Sequence, residues 1–189
     1  MISWPLTSCR KSQLMGKTIL LSLAIALLAS QVLGYKQEDL EKLLKTKLCE
    51  QCDLRGSVLR GALLRDANLH FAHLRGANLK GANLNWADLR GADLSKADLN
   101  WAKLNNADLR AANLRGANLK EGYLQYADLM EADLREADLR AADLYRADLN
   151  RANLDGALLR EAILKFASMK GTILCNTEMP DGQLTMRDC

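Results

Sequence analysis

Leucine recurs at every fifth position from Leu54 to Leu174, with Met169 as the one exception, which gives 25 consecutive units without an insertion. Alanine stands two positions before the leucine in each unit from Ala62 to Ala167, except at Gly122. The residue just before the leucine is Asp or Asn in 16 of the 25 units. Such a regular repeat dominates the fold, because every unit must adopt the same local structure.

A five-residue period fits neither an α-helix nor a continuous β-strand. A helix turns about 100° per residue, so leucines at every fifth position would be spread around the whole cylinder. In a strand, the Ala and Leu of one unit share a side, but the next unit would point its leucine to the opposite side. A chain that turns a corner in every unit keeps all of them inward, and Asp, Asn and Gly suit such corners. The pattern therefore predicts a coil of short extended sides joined by turns.

Units such as Ala-Asp-Leu-Arg-Gly recur from Cys52 to about Asn176 and closely resemble the pentapeptide-repeat family. The resemblance implies an all-β fold, a right-handed quadrilateral β-helix with four units per coil. The 25 units would then form about six coils, spaced by roughly 4.8 Å in a rod about 30 Å long. Burial of some two dozen leucines, at about 1.5–3 kcal/mol each before entropic losses, is ample for this stack.

The first 34 residues indicate a secretory signal peptide. Arg10, Lys11 and Lys17 form a basic leader, and the apolar run from Thr18 to Ala29 is too short to span a membrane. Small residues lead up to Gly34, after which we expect cleavage. An uncleaved membrane anchor is the alternative interpretation.

Cleavage at that point would leave a neutral protein. The full chain has 26 basic and 23 acidic residues, and the leader holds three of the basic ones and no acidic residue. Equal numbers of each sign give no electrostatic footprint for a nucleic-acid backbone. They also lack the strong negative field that a nucleic-acid mimic needs. We therefore expect no nucleic-acid partner and, after cleavage, no membrane association.

Both ends of a solenoid expose apolar surface, so caps are expected. Gln37 to Leu48 predicts a short N-terminal capping helix, with four leucines on one face: Leu40, Leu43, Leu44 and Leu48. The segment from Asn176 to Cys189, with Met179, Pro180, Leu184 and Met186, is expected to cover the other end. The predicted divisions are a signal peptide over 1–34, a capping helix over 35–51, the β-helix over 52–176 and a C-terminal cap over 177–189. The ends resemble those of exported cyanobacterial members of the family, which implies the periplasm or the thylakoid lumen.

Four cysteines remain after the expected cleavage, and export favours disulfides. We predict one bridge at each end of the rod, Cys49–Cys52 and Cys175–Cys189. A four-cysteine zinc site is disfavoured because the two pairs lie at opposite ends. A redox role for Cys-x-x-Cys would need a βαβ context, which the sequence lacks.

If four units form one coil, outward residues 20 positions apart stack on one face. One such aspartate column consists of Asp88, Asp108, Asp128 and Asp148. Carboxylates about 4.8 Å apart would repel one another or hold cations, so a metal-ion-binding surface is one alternative. Charge compensation is the other, through nearby arginines: Arg90, Arg110 and Arg151.

Another face collects five of the seven aromatic residues of the repeat region: Trp86, Tyr123, Tyr126, Tyr145 and Phe166. It also carries Arg146 and Lys165 within a small excess of basic residues. Exposed aromatic rings with a mild positive excess are typical of a partner-binding surface. These seven residues are the candidate partner-binding site. The alternative is that outward positions vary freely because they do not affect folding.

No arrangement of residues in the sequence indicates catalysis. His70 and His73 fall on adjacent faces, without a recognisable serine or cysteine partner. A convex rod also lacks the concave pocket that catalysis normally needs. We therefore predict a protein that is not an enzyme and binds no cofactor.

The leading prediction is a structural or interaction scaffold of an exported compartment that binds a protein partner. It would act as a monomer or as an end-to-end or side-by-side homo-oligomer. The alternative is the activity best known for the resembled family, in which quinolone-resistance members mimic duplex DNA and bind topoisomerase. Neutral charge and a signal peptide both oppose that alternative here.

Overall fold

The computed structural model describes residues 34–189. The predicted basic leader and apolar run of the signal peptide lie outside the described residues. Within residues 34–189, no helix combines the length and the apolar character needed to cross a bilayer.

From Leu48 to Glu178 the chain forms parallel bridges between residues 20 positions apart. The first bridge pairs Leu48 with Asn68, and the last pairs Leu158 with Glu178. Because each unit has five residues, an offset of 20 means that four units complete one coil. The prediction of a quadrilateral β-helix is therefore confirmed for the repeat region.

The interior of the coil is one continuous column of leucine and alanine. Every repeat leucine from Leu54 to Leu159 is at most 2% exposed. The inward alanines between Ala67 and Ala157 are at most 1% exposed. Such an interior has no spare volume, so a larger side chain at an alanine position would have to displace its neighbours.

The backbone of one unit explains why Asp or Asn precedes the leucine. The N–H groups of Asp108, Leu109 and Ala111 donate to carbonyls of neighbouring coils. The N–H of Ala112 donates to the carbonyl of Leu109 at 3.0 Å and closes the corner. The remaining N–H, that of Arg110, donates to Asp108 Oδ1 at 3.2 Å. The carboxylate or amide oxygen thus accepts the one N–H that the coil leaves unpaired, and every donor of the unit is satisfied.

The corner residue, two positions after each leucine, has a left-handed backbone. Gly91 has φ of 61° there, and Lys96 and Trp101 have 58° and 57°. Glycine adopts this conformation freely, whereas a side chain at such a position is unfavourable by about 1–2 kcal/mol. The coil tolerates bulky corner residues because stacking fixes the conformation of every unit.

Helix α1 spans Gln37–Thr46 and is shorter than predicted. It ends because Lys47 has φ of 58° and donates its N–H to the carbonyl of Leu43 at 2.8 Å. Leu48 therefore belongs to the first coil, where it is exposed, and Leu44 is exposed on the helix. The prediction of one apolar face with four leucines was wrong for these two residues.

Lys36 and Asp39, just before and within α1, attach this segment to the first coil by hydrogen bonds. Lys36 donates its N–H to the carbonyl of Asp53 at 3.1 Å, and Asp39 Oδ2 accepts the N–H of Asp53 at 2.8 Å. Leu40 and Leu43 are buried against the end of the leucine column. α1 therefore covers the apolar end of the coil and satisfies part of its backbone edge.

The other end carries an antiparallel hairpin of β1, Leu174–Glu178, and β2, Leu184–Arg187. Met179 packs against the core, but Leu184 and Met186 are exposed. These two side chains therefore do not contribute to covering the end. The hairpin covers it through backbone pairing, because β1 is also joined to the coil beneath through the Leu158–Glu178 bridge.

Candidate interaction surface

The aromatic face comprises the outward residues around six stacked leucines: Leu64, Leu84, Leu104, Leu124, Leu144 and Leu164. Bridges that join Lys103 to Tyr123 and Tyr123 to Asp143 show that these units stack directly on one another. Trp86, Tyr123 and Phe166 are all exposed on this face. The structure thus places the predicted aromatic residues on one side of the rod.

Three of the rings form a contiguous group, here called the ring cluster: Tyr126, Tyr145 and Phe166. The ring centroids of Tyr126 and Tyr145 are 5.8 Å apart with an interplanar angle of 76°. Those of Tyr145 and Phe166 are 5.6 Å apart at 84°. Edge-to-face contact of this geometry is a favoured arrangement of aromatic rings. Phe166 is 66% exposed and Tyr126 48%, so the cluster remains open to solvent.

Arg146 lies among the rings of the ring cluster. Its guanidinium carbon is 5.7 Å from the centroid of Tyr126, 5.5 Å from that of Tyr145 and 5.7 Å from that of Phe166. Lys165 Nζ is 5.3 Å from the Phe166 centroid. Both cations are within the distance at which the face of an aromatic ring attracts positive charge.

The nearest acidic residue of the same face, Asp143, is engaged elsewhere. Its Oδ2 accepts a hydrogen bond from Gln125 Nε2 at 2.6 Å, and its Oδ1 accepts the N–H of Tyr145 at 3.0 Å. Among residues 34–189, no carboxylate oxygen lies within 4.0 Å of the Arg146 guanidinium nitrogens. Arg146 therefore presents an unneutralised charge above three rings.

Two predicted members of the site stand apart from the ring cluster. Trp86 is separated from Tyr126 along their shared column by Asn106, and no ring pair involves it in the part of the chain that the structure describes. Tyr123 lies on the adjacent column, next to Lys103 and Asp143. Sequence periodicity could place these residues on one face, but it could not show which rings meet.

The aspartate column is interleaved with arginines. Arg90 contacts Asp88 at 2.6 Å and Asp108 at 3.6 Å. Arg110 contacts Asp108 at 2.6 Å and Asp128 at 3.4 Å. Each guanidinium thus bridges carboxylates of two successive coils. The interpretation of the column as charge-compensated agrees with these contacts for Arg90 and Arg110.

Arg151, also expected to compensate the aspartate column, pairs instead with Glu131 at 3.2 Å. The upper part of the column therefore has less compensation. Met130 stands where Arg90 and Arg110 stand in the coils below. Burial and the nearby carboxylates of Asp108 and Asp148 raise the pKa of Asp128, although Arg110 and the N–H of Met130 oppose the shift.

The same charge pattern recurs wherever Asp-Leu-Arg occurs in the repeat. The five arginines that pair bidentately with the aspartate two positions before them are Arg55, Arg90, Arg110, Arg135 and Arg140. In four of these units the hydrogen bond from the arginine holds the pKa of the aspartate below its usual range: Asp53, Asp88, Asp133 and Asp138. The two-residue spacing in the sequence is the signal that predicts these pairs.

Other candidate chemical groups are dispersed. His70 stacks on Phe71 with centroids 4.1 Å apart, and its Nδ1 is 3.7 Å from a carboxylate oxygen of Glu50. His73 lies on the neighbouring face and bridges to Asp53 and Asp93 through its backbone. In the described part of the chain, no three or more His, Cys, Asp or Glu side chains are grouped so as to hold a metal ion.

The four described cysteines form two disulfides, Cys49–Cys52 and Cys175–Cys189. Cys49 and Cys52 are buried at the base of the leucine column, next to α1. Cys175–Cys189 joins the last residue of the chain to β1. Cys175–Cys189 therefore fastens the C-terminal hairpin, whereas Cys49–Cys52 closes a short loop at the start of the first coil.

Comparison with known proteins supports the assignment of the repeat. The family model described as pentapeptide repeats matches in 8 copies, with matched segments at residues 49–81, 72–111, 82–121, 112–151 and 142–181. No curated protein sequence matches the chain.

Several solved structures are similar to the chain. HetL, a pentapeptide repeat protein involved in heterocyst differentiation regulation from the cyanobacterium Nostoc sp. strain PCC 7120, is 37% identical, with 73% of this chain and 66% of HetL covered and a TM-score of 0.46. A pentapeptide repeat protein from the Arabidopsis thaliana thylakoid lumen is 32% identical over 59% of this chain and 70% of its own, with a TM-score of 0.33. QnrB1, a plasmid-mediated fluoroquinolone resistance protein, is 15% identical over 75% of this chain and 84% of its own, with a TM-score of 0.46.

The family model covers most of the chain, and its matched segments coincide with the leucine and alanine column of the coil. The structure accounts for the pattern, because each unit supplies two inward residues and most units supply an Asp or Asn acceptor. The chain belongs to the pentapeptide-repeat family.

Proposed function

We propose that this protein is a non-enzymatic interaction scaffold that binds a protein partner through the ring cluster and Arg146. The observation that carries the proposal is the Arg146 guanidinium, which lies 5.5–5.7 Å from three ring centroids. Aromatic residues and arginine are the side chains that most often dominate binding energy at protein interfaces. The coil supplies a rigid base, so the rings need little further ordering on binding.

The pairing of the other arginines supports this choice of surface. Where Asp precedes the leucine, as in Asp88-Leu-Arg90, the arginine is neutralised within its own unit. Arg146 occupies a corner position instead, and its aromatic neighbours attract the cation without neutralising it. A carboxylate or backbone carbonyl of a partner would complete its hydrogen bonds. Lys165, whose Nζ lies over the ring of Phe166, adds a second positive charge at the edge of the ring cluster.

We further propose that the protein acts in an exported, oxidising compartment after cleavage following Gly34. The two disulfides support this, because disulfides persist in oxidising compartments and are rare where thiols are kept reduced. Cyanobacterial periplasm and thylakoid lumen are the compartments that the resemblance implied. Mass spectrometry of the N-terminus of the protein purified from its native cells tests the cleavage directly.

Proximity labelling in native cells tests the binding proposal. The test variant replaces Tyr126, Tyr145 and Phe166 with serine, and the control replaces Phe71 and Trp101, exposed rings on other faces, with serine. We expect the test variant to lose a specific set of labelled proteins that the wild type and the control retain. Equal labelling by the test variant and the control would contradict the proposal, provided that both melt like the wild type.

A further inference from the structure

A second positively charged region lies at the N-terminal end of a different face, around Leu54, Leu74 and Leu94. A groove of about 480 Å³ is lined there by three cations and two glycines of the coil, Arg55, Arg75, Lys96, Gly56 and Gly76, together with Gly34, the last residue before the expected cleavage. No acidic residue is among these lining residues. We call this region the basic groove.

The sequence of one unit explains the free charge in the basic groove. Arg75 follows His73-Leu rather than Asp-Leu, so it lacks the intra-unit carboxylate that neutralises arginines such as Arg90. Within residues 34–189, neither Arg75 nor Lys96 has a carboxylate oxygen within 4.0 Å. Arg55 is paired with Asp53 at 2.7 Å. Two unneutralised cations therefore face one groove.

The glycines leave the floor of the basic groove open. Gly76 has φ of 66°, and a Cβ added there would meet no atom within 4 Å. A comparable groove on the face of the aspartate column differs in both respects. There the ring of Phe71 lies across Gly91, and Arg90 and Arg110 are both paired with aspartates. The basic groove thus has an open floor at Gly76 and two unpaired cations, whereas in its counterpart Phe71 covers Gly91 and both arginines are paired.

We propose that the basic groove binds a phosphate-type dianion. Arg75 offers a planar fork of N–H donors that matches two oxygens of one tetrahedral anion, and Lys96 offers a point charge from the adjacent coil. Two uncompensated cations match a charge of about −2, which a phosphate group carries near neutral pH. A singly charged carboxylate would leave one of them unneutralised. The group can belong to free phosphate or to a phosphomonoester.

Isothermal titration of the full chain at constant ionic strength tests this inference. The probes are inorganic phosphate, glycerol 1-phosphate and acetate. We expect saturable binding of phosphate with a stoichiometry of one, and weaker or no binding of acetate. Tight binding of glycerol 1-phosphate would identify a phosphomonoester as the natural group, whereas binding of inorganic phosphate alone would identify the free ion.

The variants Arg75→Gln and Arg60→Gln form a matched pair. Both remove one positive charge from an arginine without a carboxylate partner in the described chain, but Arg60 lies on the neighbouring face, outside the basic groove. Arg75→Gln should weaken phosphate binding about tenfold, the value of one charged hydrogen-bonded pair. Arg60→Gln should leave it unchanged. Equal weakening by both variants, or no saturable phosphate binding by the wild type, would overturn the inference.

Discussion

Asp88 and Arg90 form a bidentate ion pair inside a single five-residue unit. Arg90 Nε donates to Asp88 Oδ1 at 2.8 Å, and Arg90 Nη2 donates to Asp88 Oδ2 at 2.6 Å. The leucine between them points inward, so the two charged side chains lie side by side on the surface. The five Asp-Leu-Arg units thus neutralise their own arginines, whereas Arg75 and Arg146 have no carboxylate oxygen within 4.0 Å among residues 34–189.

Substitution of two aspartates of the same column should have opposite effects on stability. Asp88→Asn removes a carboxylate whose pKa is lowered by Arg90, so it should reduce the free energy of unfolding at pH 7, by about 0.5–1 kcal/mol for a partly exposed pair. Asp128→Asn removes a carboxylate whose pKa is raised by burial, so it should increase stability at pH 7. Asparagine keeps the side-chain oxygen that accepts the backbone N–H in both units.

The dependence on pH distinguishes these two effects from a general change in packing. The lowered pKa of Asp88 stabilises the fold above the usual aspartate pKa of about 4, and this contribution is lost as pH falls through the lowered value. The raised pKa of Asp128 favours the fold when the group is protonated, and this contribution is lost as pH rises through the raised value. Chemical denaturation from pH 2 to 7 measures the free energy of unfolding of the wild type, Asp88→Asn and Asp128→Asn. The difference between the wild type and each variant should become smaller as the pH falls. Differences that stay constant with pH would contradict the assignment.

Adjacent alanines at one corner should respond oppositely to glycine. Ala111 has φ of 53°, so Ala111→Gly relieves a left-handed side chain and should stabilise the protein by up to about 1 kcal/mol. Ala112 is buried, so Ala112→Gly removes a core methyl group and should destabilise it by about 1 kcal/mol. Thermal unfolding of the two variants measures the difference. A loss of stability in Ala111→Gly similar to that in Ala112→Gly would show that the corner is not strained.

Ser57 occupies an inward alanine position and its hydroxyl is buried. Its Oγ has no hydrogen-bond partner within residues 34–189. Ser57→Ala should therefore raise the free energy of unfolding by about 1 kcal/mol. Thr172 is the matched control, because its Oγ1 donates to the carbonyl of Leu149 at 2.8 Å. Thr172→Val should lower stability by a similar amount, and a stabilising Thr172→Val would contradict this interpretation.

The disulfide of the C-terminal hairpin should act locally. Cys189→Ser opens the loop between Cys175 and Cys189, and closure of a loop of this length is worth about 3 kcal/mol. Hydrogen exchange should accelerate over β2 while the amide of Leu109 in the middle of the rod keeps its protection. Equal acceleration at both places would show that the hairpin and the coil unfold as one unit.

The inward half of this fold could be predicted from the sequence alone. Leu and Ala fill a column with no spare volume, so their positions repeat strictly and predict a coil with a corner in every unit, whereas the four units per coil were implied by the resemblance to the pentapeptide-repeat family. The end of α1 could not be predicted, because Leu44 and Leu48 continue an apolar helical pattern and only the left-handed Lys47 breaks it. The exposure of Leu184 could not be predicted either, because backbone pairing, and not apolar side-chain contact, closes the C-terminal end of the rod.

For the surface, the sequence could predict only that residues 20 positions apart stack on the same face. That offset assigned Tyr126, Tyr145 and Phe166 to one face, but contacts between rings depend on side-chain directions at corners with positive φ. The position of Arg146 among the rings has no signal in the repeat. The ion pairs within Asp-Leu-Arg units were predictable, because the aspartate and the arginine always stand two residues apart. The stacking of aspartates between coils does not by itself reveal these pairs.

Site-specific photocrosslinking tests the proposed interaction surface most directly. The photoreactive residue p-benzoylphenylalanine replaces Phe166 in one variant and Phe71 in another, because both are exposed phenylalanines at left-handed corners but lie on different faces. After irradiation of native cells, we predict a discrete crosslinked protein from position 166 that is absent at position 71. Crosslinking of the same protein from both positions, or from position 71 alone, would contradict partner binding by the ring cluster.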